Sequence, residues 1–444
     1  MLLTYCVTLP AVQADNSRQS EAPRSDESAA ASTTTVVDAN DHTTEQKPGR
    51  LAGRRERIAL LAGFLIGSMS WNICWPFMPL RFQDIGVQDL GEVARLAGII
   101  SGTTNLITAG LGTFWSYLGE RYGYKLQILR AHTGTIIGMG AIGLAGSLGQ
   151  LIGATALLGT LGGNYPHYMA LAASRTSASD IGRVVGDLQA AGQIGGTIGP
   201  IIGGLIASQY GVPPTFLVAC LVTVLALFII GFGVNGERPV VSVGPTRPRG
   251  SLREAFARPE QRALMLLLFM GDMGINGLRP LIPIVIASRE SDPATIATIT
   301  GITATVATAG TVIAALAIGR VSRRISPRTL LLTTMPIAAV LAAIAPLVPT
   351  LPLLIVHWAF MGLASGVVTP TIFAWLGRLS PSGGGGFALL ASTNMLGFAI
   401  GPMIMGQASV FGLEWPFRVA AIITAIGAIL VLVRSPRPLA VAAI

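Results

Sequence analysis

Long apolar stretches separated by short polar loops make up most of this sequence. After a polar segment of about fifty residues, twelve such stretches follow, and each is near the ~20 residues that a helix needs to cross a bilayer. They are called spans 1 to 12 here and cover residues 57–80, 94–117, 127–149, 151–173, 184–208, 214–235, 262–286, 294–319, 329–349, 352–376, 385–409 and 415–434. The pattern predicts an all-α polytopic membrane protein with twelve transmembrane helices.

The polar segments between and around these spans define the domain organisation. Residues 1–56 are too poor in apolar side chains to offset the entropy of ordering, so we expect a disordered tail. Residues 57–235 and 262–434 then form two six-helix bundles. They are joined by a central loop at 236–261 and followed by a tail at 435–444.

Composition supports the membrane assignment. The chain is 51% hydrophobic and 11% charged, whereas soluble domains carry about 25% charged residues. The three cysteines, Cys6, Cys74 and Cys220, have no metal-ligand or disulfide spacing. The sequence contains no nucleotide-binding motif, metal cluster or nucleophile–base set, so we expect no cofactor, no metal and no enzyme activity.

The net charge of +9 is unevenly placed. Most of the arginines lie in the two tails and in the loops that follow even-numbered spans, a side of the membrane called the basic face here. The loops on the other side, the opposite face, hold only Arg81, Arg95, Arg289 and Arg418. Because positively charged loops stay inside, both termini are expected in the cytoplasm, with the protein in the plasma or inner membrane. This distribution favours membrane orientation over nucleic-acid binding.

An internal repeat relates the two halves of the chain. Four features of the first half recur at offsets of 201 to 204 residues, which indicates duplication. They are Pro76 and Pro79 with Pro280 and Pro283, Asn72 with Asn276, Gly195, Gly199 and Pro200 with Gly397, Gly401 and Pro402, and Gly211 with Gly412. Two six-helix halves with a site between them at mid-membrane are the usual architecture of secondary transporters.

Span 5 carries the most specific motif. Its small residues are Gly186, Gly195, Gly199, Pro200, Gly203 and Gly204. Glycines make a flat helix face on which a neighbouring helix can lie closely, and the proline can bend the helix. A generic packing face is the simpler interpretation. However, the full spacing resembles the antiporter motif G-x8-G-x3-G-P-x2-G-G of the major facilitator superfamily.

The resemblance extends over residues 57–434 and implies that superfamily's fold, two pseudo-symmetric six-helix bundles. Within the superfamily the chain looks most similar to the twelve-helix drug:proton antiporters. The resemblance therefore implies alternating access, a small-molecule substrate, protons and the lipid bilayer as partners, no nucleic acid, and a monomer. The arginine that the family often carries in its fourth helix is absent here, which puts its usual proton relay in doubt.

The loop between spans 2 and 3 resembles the superfamily's signature G-x-x-a-D-R-x-G-R-K. A carboxylate at a helix end can pair with basic groups and release them when the halves move, so we expect a gate here. The residues concerned are Glu120, Arg121, Gly123 and Lys125, although Ser116, Glu120 and Tyr124 depart from the signature. The alternative is that these charges only set topology. Asp187 is either part of the same gate or a solvated acid at the start of span 5.

Asp272 is the candidate for proton coupling. Ionisable residues inside spans are costly and usually functional, and Asp272 lies in span 7 with Arg279 seven residues further on. Burial disfavours a charged carboxylate and a nearby arginine favours it, so an acid between these effects can bind and release a proton. A static packing role, with Asn276 or Arg279 as partner, is the alternative.

The substrate cavity is expected between the halves. Its predicted lining residues are Asn72, Trp75, Asn276, His167, His357 and Gln193. We therefore expect proton-coupled efflux of small amphiphilic or lipophilic compounds. A carrier for a defined metabolite such as a sugar or siderophore, and a non-transporting membrane sensor, remain as alternatives.

Overall fold

The structure is a computed structural model that describes residues 53–176, 180–236, 258–322, 324–379 and 384–434. Most of the predicted N-terminal tail and central loop, and the predicted C-terminal tail, lie outside these ranges. The helices, by span, are Arg54–Cys74 with Met78–Asp84 (1), Leu90–Tyr122 (2), Tyr124–Leu144 (3), Leu148–Leu161 with Tyr165–Ser174 (4), Ile181–Tyr210 (5), Pro213–Gly233 (6), Pro259–Asn276 with Ile282–Ala287 (7), Pro293–Val321 (8), Pro327–Ile344 (9), Leu351–Leu379 (10), Gly384–Ala408 (11) and Trp415–Arg434 (12).

The prediction of an all-α protein with twelve transmembrane helices is confirmed. Within the described residues, nine spans are long and apolar enough to cross a membrane on those criteria alone. Spans 2 and 3 are richer in Gly, Thr and polar residues, and span 4 is interrupted after Leu161. Large apolar side chains remain exposed on the outside of the bundle, such as Leu221, Phe232 and Val433 at 69%, 81% and 74%, as expected for a surface in contact with lipid.

Spans 1 and 7 are broken in the same way. Each continues through a single 3₁₀ turn, Trp75–Phe77 in span 1 and Arg279–Leu281 in span 7, into a short second helix. A proline lies within the turn and another at the start of the second helix, and each removes a backbone donor. The repeated Pro-x-x-Pro motif therefore bends both spans at corresponding depths.

Each half packs its motif span against its broken span. A Cβ atom at Gly199 would lie 2.7 Å from the Cβ of Asn72 in span 1, and one at Gly401 would lie 3.0 Å from the Cα of Met273 in span 7. Any larger residue would push the helices apart, because both neighbours belong to rigid helices. The small residues of span 5 and their repeats in span 11 thus bring the helix axes together.

The two halves meet through a pair of equivalent helix crossings. Spans 5 and 8 cross where a Cβ at Gly204 would lie 3.1 Å from the Cα of Gly301. Spans 2 and 11 cross where a Cβ at Gly406 would lie 3.0 Å from the Cα of Gly98. All four glycines lie toward the opposite-face ends of their helices, so the halves are in close contact on that side of the membrane.

Several of the basic residues counted in the loops cap helix ends. Arg81 donates to the carbonyls of Ile142, Gly143 and Ala145 at the end of span 3. In the second half Arg289 donates to the carbonyl of Val348 at 2.6 Å, beyond the end of span 9. The last carbonyls of a helix have no partner within it, and a cation favours that end. These arginines therefore stabilise the packing of each half as well as contributing charge.

Candidate functional site

A cavity of about 230 Å³ lies between the two halves, at the level of the breaks in spans 1 and 7. Spans 1, 2, 5, 7, 8 and 11 all contribute to its wall. The lining includes Trp71, Asn72, Trp75, Pro200, Asn276 and Arg279. The predicted lining residues Asn72, Trp75 and Asn276 thus come together at one cavity.

The cavity is closed toward the opposite face by the two glycine crossings. Toward the basic-face ends of spans 2, 5 and 8, by contrast, no described glycine makes such a crossing with the other half. A Cβ atom at Gly110, Gly112, Gly182, Gly186 or Gly319 would meet no atom within 4 Å, and Gly119 packs on Tyr124 of its own half. The close glycine contacts between the halves, among the described residues, therefore lie toward the opposite face, which is the arrangement expected of a form open toward the basic face.

Aromatic rings form one wall of the cavity. The rings of Trp71 and Trp75 stack with their centroids 4.5 Å apart. Beside them, the side-chain amide of Asn72 donates to the carbonyl of Ser68 in its own helix at 2.9 Å. The wall therefore offers a large apolar surface together with an amide oxygen that can accept a hydrogen bond.

Asp272 is buried, with 2% of its surface exposed, and its carboxylate accepts three hydrogen bonds. Asn276 donates to Oδ1 at 3.0 Å, Thr369 of span 10 donates to the same oxygen at 3.2 Å, and Asn394 of span 11 donates to Oδ2 at 2.5 Å. All three donors are neutral. Because Asn276 also lines the cavity, it connects the buried carboxylate directly to the place where cargo would bind.

Arg279 is not in contact with Asp272. It lies on the cavity wall, after the break in span 7, and donates to Thr311 of span 8 at 3.4 Å. Among the described residues, no ion pair joins its guanidinium to Asp272. The sequence left Asn276 and Arg279 open as partners of the acid, and the structure assigns Asn276 to that contact.

The structure does not bring His167, His357 or Gln193 to this cavity. His167 is buried, and its Nε2 lies 3.4 Å from a guanidinium nitrogen of Arg130 in span 3. His357 is buried near the opposite-face end of span 10, and its Nε2 has no partner among the described residues. Gln193 lies half-buried on span 5, away from the cavity lining. These three residues were predicted to line the cavity from their depth in the membrane. Whether a residue at that depth lines the cavity depends on which side of its helix it occupies, and this is set by packing.

The predicted gating residues lie at the basic face. Gly123 has φ of +97°, a left-handed value that glycine adopts without strain, and it allows the chain to turn between spans 2 and 3. Glu120 and Arg121 are exposed. Lys125 donates to the carbonyls of Gly231 and Val234 at the end of span 6, a contact within the first half.

Asp187 forms an ion pair with Arg57 of span 1. This pair ties the start of span 5 to the start of span 1, so the acid is not simply solvated. Both partners belong to the first half of the chain.

Sequence reasoning missed Thr369 and Asn394, the two donors that spans 10 and 11 contribute to Asp272. Each is a short polar residue within an apolar helix, so a list of polar residues inside the spans would have included them. What the sequence did not contain was the packing of spans 7, 10 and 11 that brings them to one carboxylate.

Comparison with known proteins agrees with this fold. The family model described as Major Facilitator Superfamily matches residues 60–294 and 264–443. The chain therefore belongs to the Major Facilitator Superfamily and is a multi-pass membrane transporter.

Two kinds of relative extend the comparison. The Multidrug resistance protein MdtG of Escherichia coli O17:K52:H18 is 29% identical over 374 residues, which are 83% of this chain and 90% of that protein. A bacterial homolog of the human lysosomal transporter Spinster, solved in an inward-facing and unoccupied conformation, has a TM-score of 0.68 at 15% identity, covering 85% of this chain and 95% of that one. A D-xylose-proton symporter has a TM-score of 0.69 at 15% identity, covering 86% and 97%.

Proposed function

We propose that this transporter exports small amphiphilic or lipophilic compounds in exchange for protons. The observation that carries the proposal is the buried carboxylate of Asp272, which has three neutral donors and is linked to the cavity by Asn276. The name of the MdtG relatives refers to multidrug resistance, and that of the xylose symporter to protons. Both are consistent with this reading.

The coupling follows from what surrounds the acid. The carboxylate of Asp272 is held by neutral donors, and the guanidinium of Arg279 acts on it electrostatically without touching it. Modest changes in this balance can therefore shift its protonation. Cargo that donates a hydrogen bond to the side-chain oxygen of Asn276 would polarise the amide, strengthen its donation to Asp272 and so favour the charged form of the acid. The same carboxylate would then bind a proton when cargo leaves and release it when new cargo enters.

The charge distribution orients the cycle. We propose that the basic face is cytoplasmic, because the arginine-rich loops lie there, so both termini are inside a plasma or inner membrane. The open side of the cavity would then face the cytoplasm, where cargo for export is collected. We further propose that the transporter acts as a monomer.

We also propose a gate at the basic face. The connection between spans 2 and 3 carries Glu120, Arg121, Gly123 and Lys125. Asp187 lies near the start of span 5, on the same side of the membrane. When the halves close on this side, the exposed Glu120 would approach basic groups of its surroundings and hold the closed form. The gate would be open in the arrangement described here.

The test is substrate-driven proton flux in proteoliposomes that contain purified protein. Neutral aromatic drugs and lipophilic cations are added singly to wild type, to Asp272→Asn and to the control Glu414→Gln. Glu414 is a half-exposed acid on the opposite face, and its carboxylate lies 3.8 Å from the guanidinium of Arg418. We expect proton release with wild type and the control, and none with Asp272→Asn.

Two outcomes would contradict the proposal. Equal proton release by Asp272→Asn would remove the acid from the coupling, and the absence of any proton response in wild type would remove the antiport. A carrier for a defined metabolite would be favoured by a polar cavity lined by Gln189, Gln193 and His357, and these residues do not line the central cavity.

A further inference from the structure

The central cavity receives one side chain from each half at equivalent positions. Trp75 opens the 3₁₀ turn of span 1 and Arg279 opens that of span 7, each directly before the first proline of its Pro-x-x-Pro motif. An offset of 204 residues makes the two residues counterparts in the repeat, and both line the cavity. The same break therefore supplies an aromatic ring in one half and a cation in the other.

Arg279 has few partners for a side chain with five N–H donors. Its Nη2 donates to the hydroxyl of Thr311 at 3.4 Å, a long contact, and that hydroxyl itself donates to the carbonyl of Ala307 at 3.1 Å. Within the described chain, Nε and Nη1 of Arg279 form no hydrogen bond, and neither is among the fully enclosed unpaired atoms. Both nitrogens are therefore donors that a molecule in the cavity can reach.

Arg279 is the only charged residue in the described lining of the cavity. Asp272 lies behind Asn276 and is buried, so its carboxylate acts on the guanidinium without contact. A cation away from bulk water is costly unless its donors are taken up, and hydrogen bonds from a guanidinium to oxygen are among the strong ones. This end of the cavity is therefore suited to bind an oxygen acceptor.

The tryptophans define what carries that oxygen. The stacked rings of Trp71 and Trp75 form an apolar wall of the same cavity. The cavity measures about 230 Å³, and one of about 150 Å³ is known to accommodate benzene. An aromatic group somewhat larger than benzene therefore matches the space that the first half contributes.

Arg279 also distinguishes the charge of the cargo. A cation would be repelled by the guanidinium. A carboxylate would pair with it, but would thereby offset the charge that favours the ionised form of Asp272, so a proton would enter with the cargo instead of leaving. An uncharged carbonyl accepts from Arg279 and leaves its charge in place. The uncharged acceptor is the class that agrees with the proposed exchange.

The coupling described above requires, in addition, a donor to the side-chain oxygen of Asn276. A carboxamide carries an acceptor oxygen and N–H donors on one carbon. We propose that the central cavity binds uncharged aromatic carboxamides, with the rings on Trp71 and Trp75, the carbonyl on Arg279 and an N–H on Asn276. This inference rests on the proposed export and names the cargo class for it.

The test compares three compounds of one shape. 2-Naphthamide represents the proposed class, naphthalene-2-carboxamidine is its cationic analogue, and 2-isopropylnaphthalene has methyl groups in place of both polar atoms. Each tritiated compound is titrated onto purified protein in nanodiscs, and binding to empty nanodiscs is subtracted. The variants are Arg279→Met, Arg279→Lys and Trp75→Leu. Arg418→Met is the matched control, because Arg418 is an exposed arginine on the opposite face.

Arg279→Met should weaken the binding of 2-naphthamide about tenfold or more, the effect of losing a hydrogen bond from a charged donor. It should strengthen the binding of the amidine and leave that of 2-isopropylnaphthalene unchanged. Arg279→Lys keeps the charge and should still exclude the amidine. Trp75→Leu should weaken all three compounds alike, and Arg418→Met should match wild type with each of them.

Two results would overturn the proposal. One is equal binding of 2-naphthamide by wild type and by Arg279→Met with a wild-type unfolding midpoint. The other is binding of the amidine by wild type as tight as that of the amide. The second comparison needs no variant, so it decides the matter even where Arg279→Met does not fold.

Proton flux measured on the same preparations separates this inference from the proposed antiport. If 2-naphthamide binding depends on Arg279 but no compound moves protons, the carboxamide site stands and the antiport fails. If 2-naphthoate or other compounds release protons while 2-naphthamide binds Arg279→Met as it binds wild type, the antiport stands and the carboxamide site fails.

Discussion

The crossing of spans 5 and 8 should control which side of the membrane is closed, and Gly301→Ala tests this. The added Cβ would lie 2.6 Å from the carbonyl oxygen of Pro200 and 3.0 Å from the Cα of Gly204, whereas ordinary contact begins at 3.4 Å. Because both neighbours are backbone atoms, no side chain can move aside. The two helices must separate by about 0.8 Å at this point.

The cost falls on one conformation only. Overpacking of this size costs ~1–3 kcal/mol, and it applies while the halves are closed at the opposite face but not after they open there. A penalty confined to one state changes the ratio of the two states by about 5- to 150-fold. Gly301→Ala should therefore populate the form that is open to the opposite face.

Electron paramagnetic resonance distances between the halves measure this ratio. Spin labels at Tyr117→Cys in span 2 and Leu316→Cys in span 8 lie near the basic-face ends, and both positions are exposed. The native cysteines are replaced first. We expect Gly301→Ala to shift the distance distribution toward shorter values as the basic face closes.

Two variants complete this experiment. Gly406→Ala, whose Cβ would lie 2.9 Å from the carbonyl of Ala94 in the equivalent crossing, should shift the distribution in the same direction. Gly153→Ala makes the same chemical change at a site with no neighbour and should leave the distribution unchanged. If folded Gly301→Ala and Gly406→Ala both give the wild-type distribution, the glycine crossings are not what closes the opposite face.

Three further predictions concern stability. Asp272→Ala should lower the free energy of unfolding by about 3 kcal/mol, because one buried and two half-buried donors lose their acceptor, whereas Asp272→Asn should cost less; thermal unfolding in detergent compares the two. Arg81→Leu should cost roughly 2–4 kcal/mol by leaving the carbonyls at the end of span 3 unpaired, and the same assay would contradict this if the midpoint were unchanged. The hydroxyl and backbone N–H of Thr295 lower the pKa of Asp292 at the start of span 8. This contribution is therefore complete above the unfolded pKa of about 4 and is lost as the pH falls through the folded value. The difference in unfolding midpoint between wild type and Asp292→Ala should accordingly be largest near pH 7 and shrink as the pH is lowered below about 4.

The sequence was sufficient for the fold because membrane helices leave strong one-dimensional signals. Apolar length locates the spans, and the Pro-x-x-Pro motif locates the breaks in spans 1 and 7. The repeat offset relates the halves. The apolar pattern predicts span 4 as one continuous helix, but the structure has two helices there, separated between Leu161 and Tyr165. A glycine pair among apolar residues, Gly162 and Gly163, was the available signal for that break.

The candidate site was only partly predictable. Asp272 is conspicuous as an acid in an apolar span, and Asn276 follows it by one helical turn. Thr369 and Asn394 contact the acid from two other helices, and no local pattern encodes that meeting. His167 and His357 were selected by residue type and depth alone. Depth can be read from a sequence, but the rotation of each helix about its axis comes from packing.

The repeat also explains why the two halves differ in chemistry. Ser68 of span 1 corresponds to Asp272 of span 7, and Gly192 of span 5 corresponds to Asn394 of span 11, at offsets of 204 and 202 residues. In the first half Ser68 donates to the carbonyl of Gly192 at 2.6 Å. In the second half, Asn394 donates to the carboxylate of Asp272 at 2.5 Å.

The same pair of positions is therefore a neutral helix contact in one half and an acid with its donor in the other. A carboxylate in place of Ser68 would face a backbone carbonyl, since Gly192 has no side chain to donate, so the acid and its amide must occur together. The neutral pair, in turn, leaves a cavity of about 180 Å³ between spans 1, 3, 4 and 6, where Ser68 is part of the wall, without a charge. In the proposed cycle the proton is therefore carried by the second half alone, and cargo in the central cavity would reach it through Asn276, which lines that cavity together with Asn72.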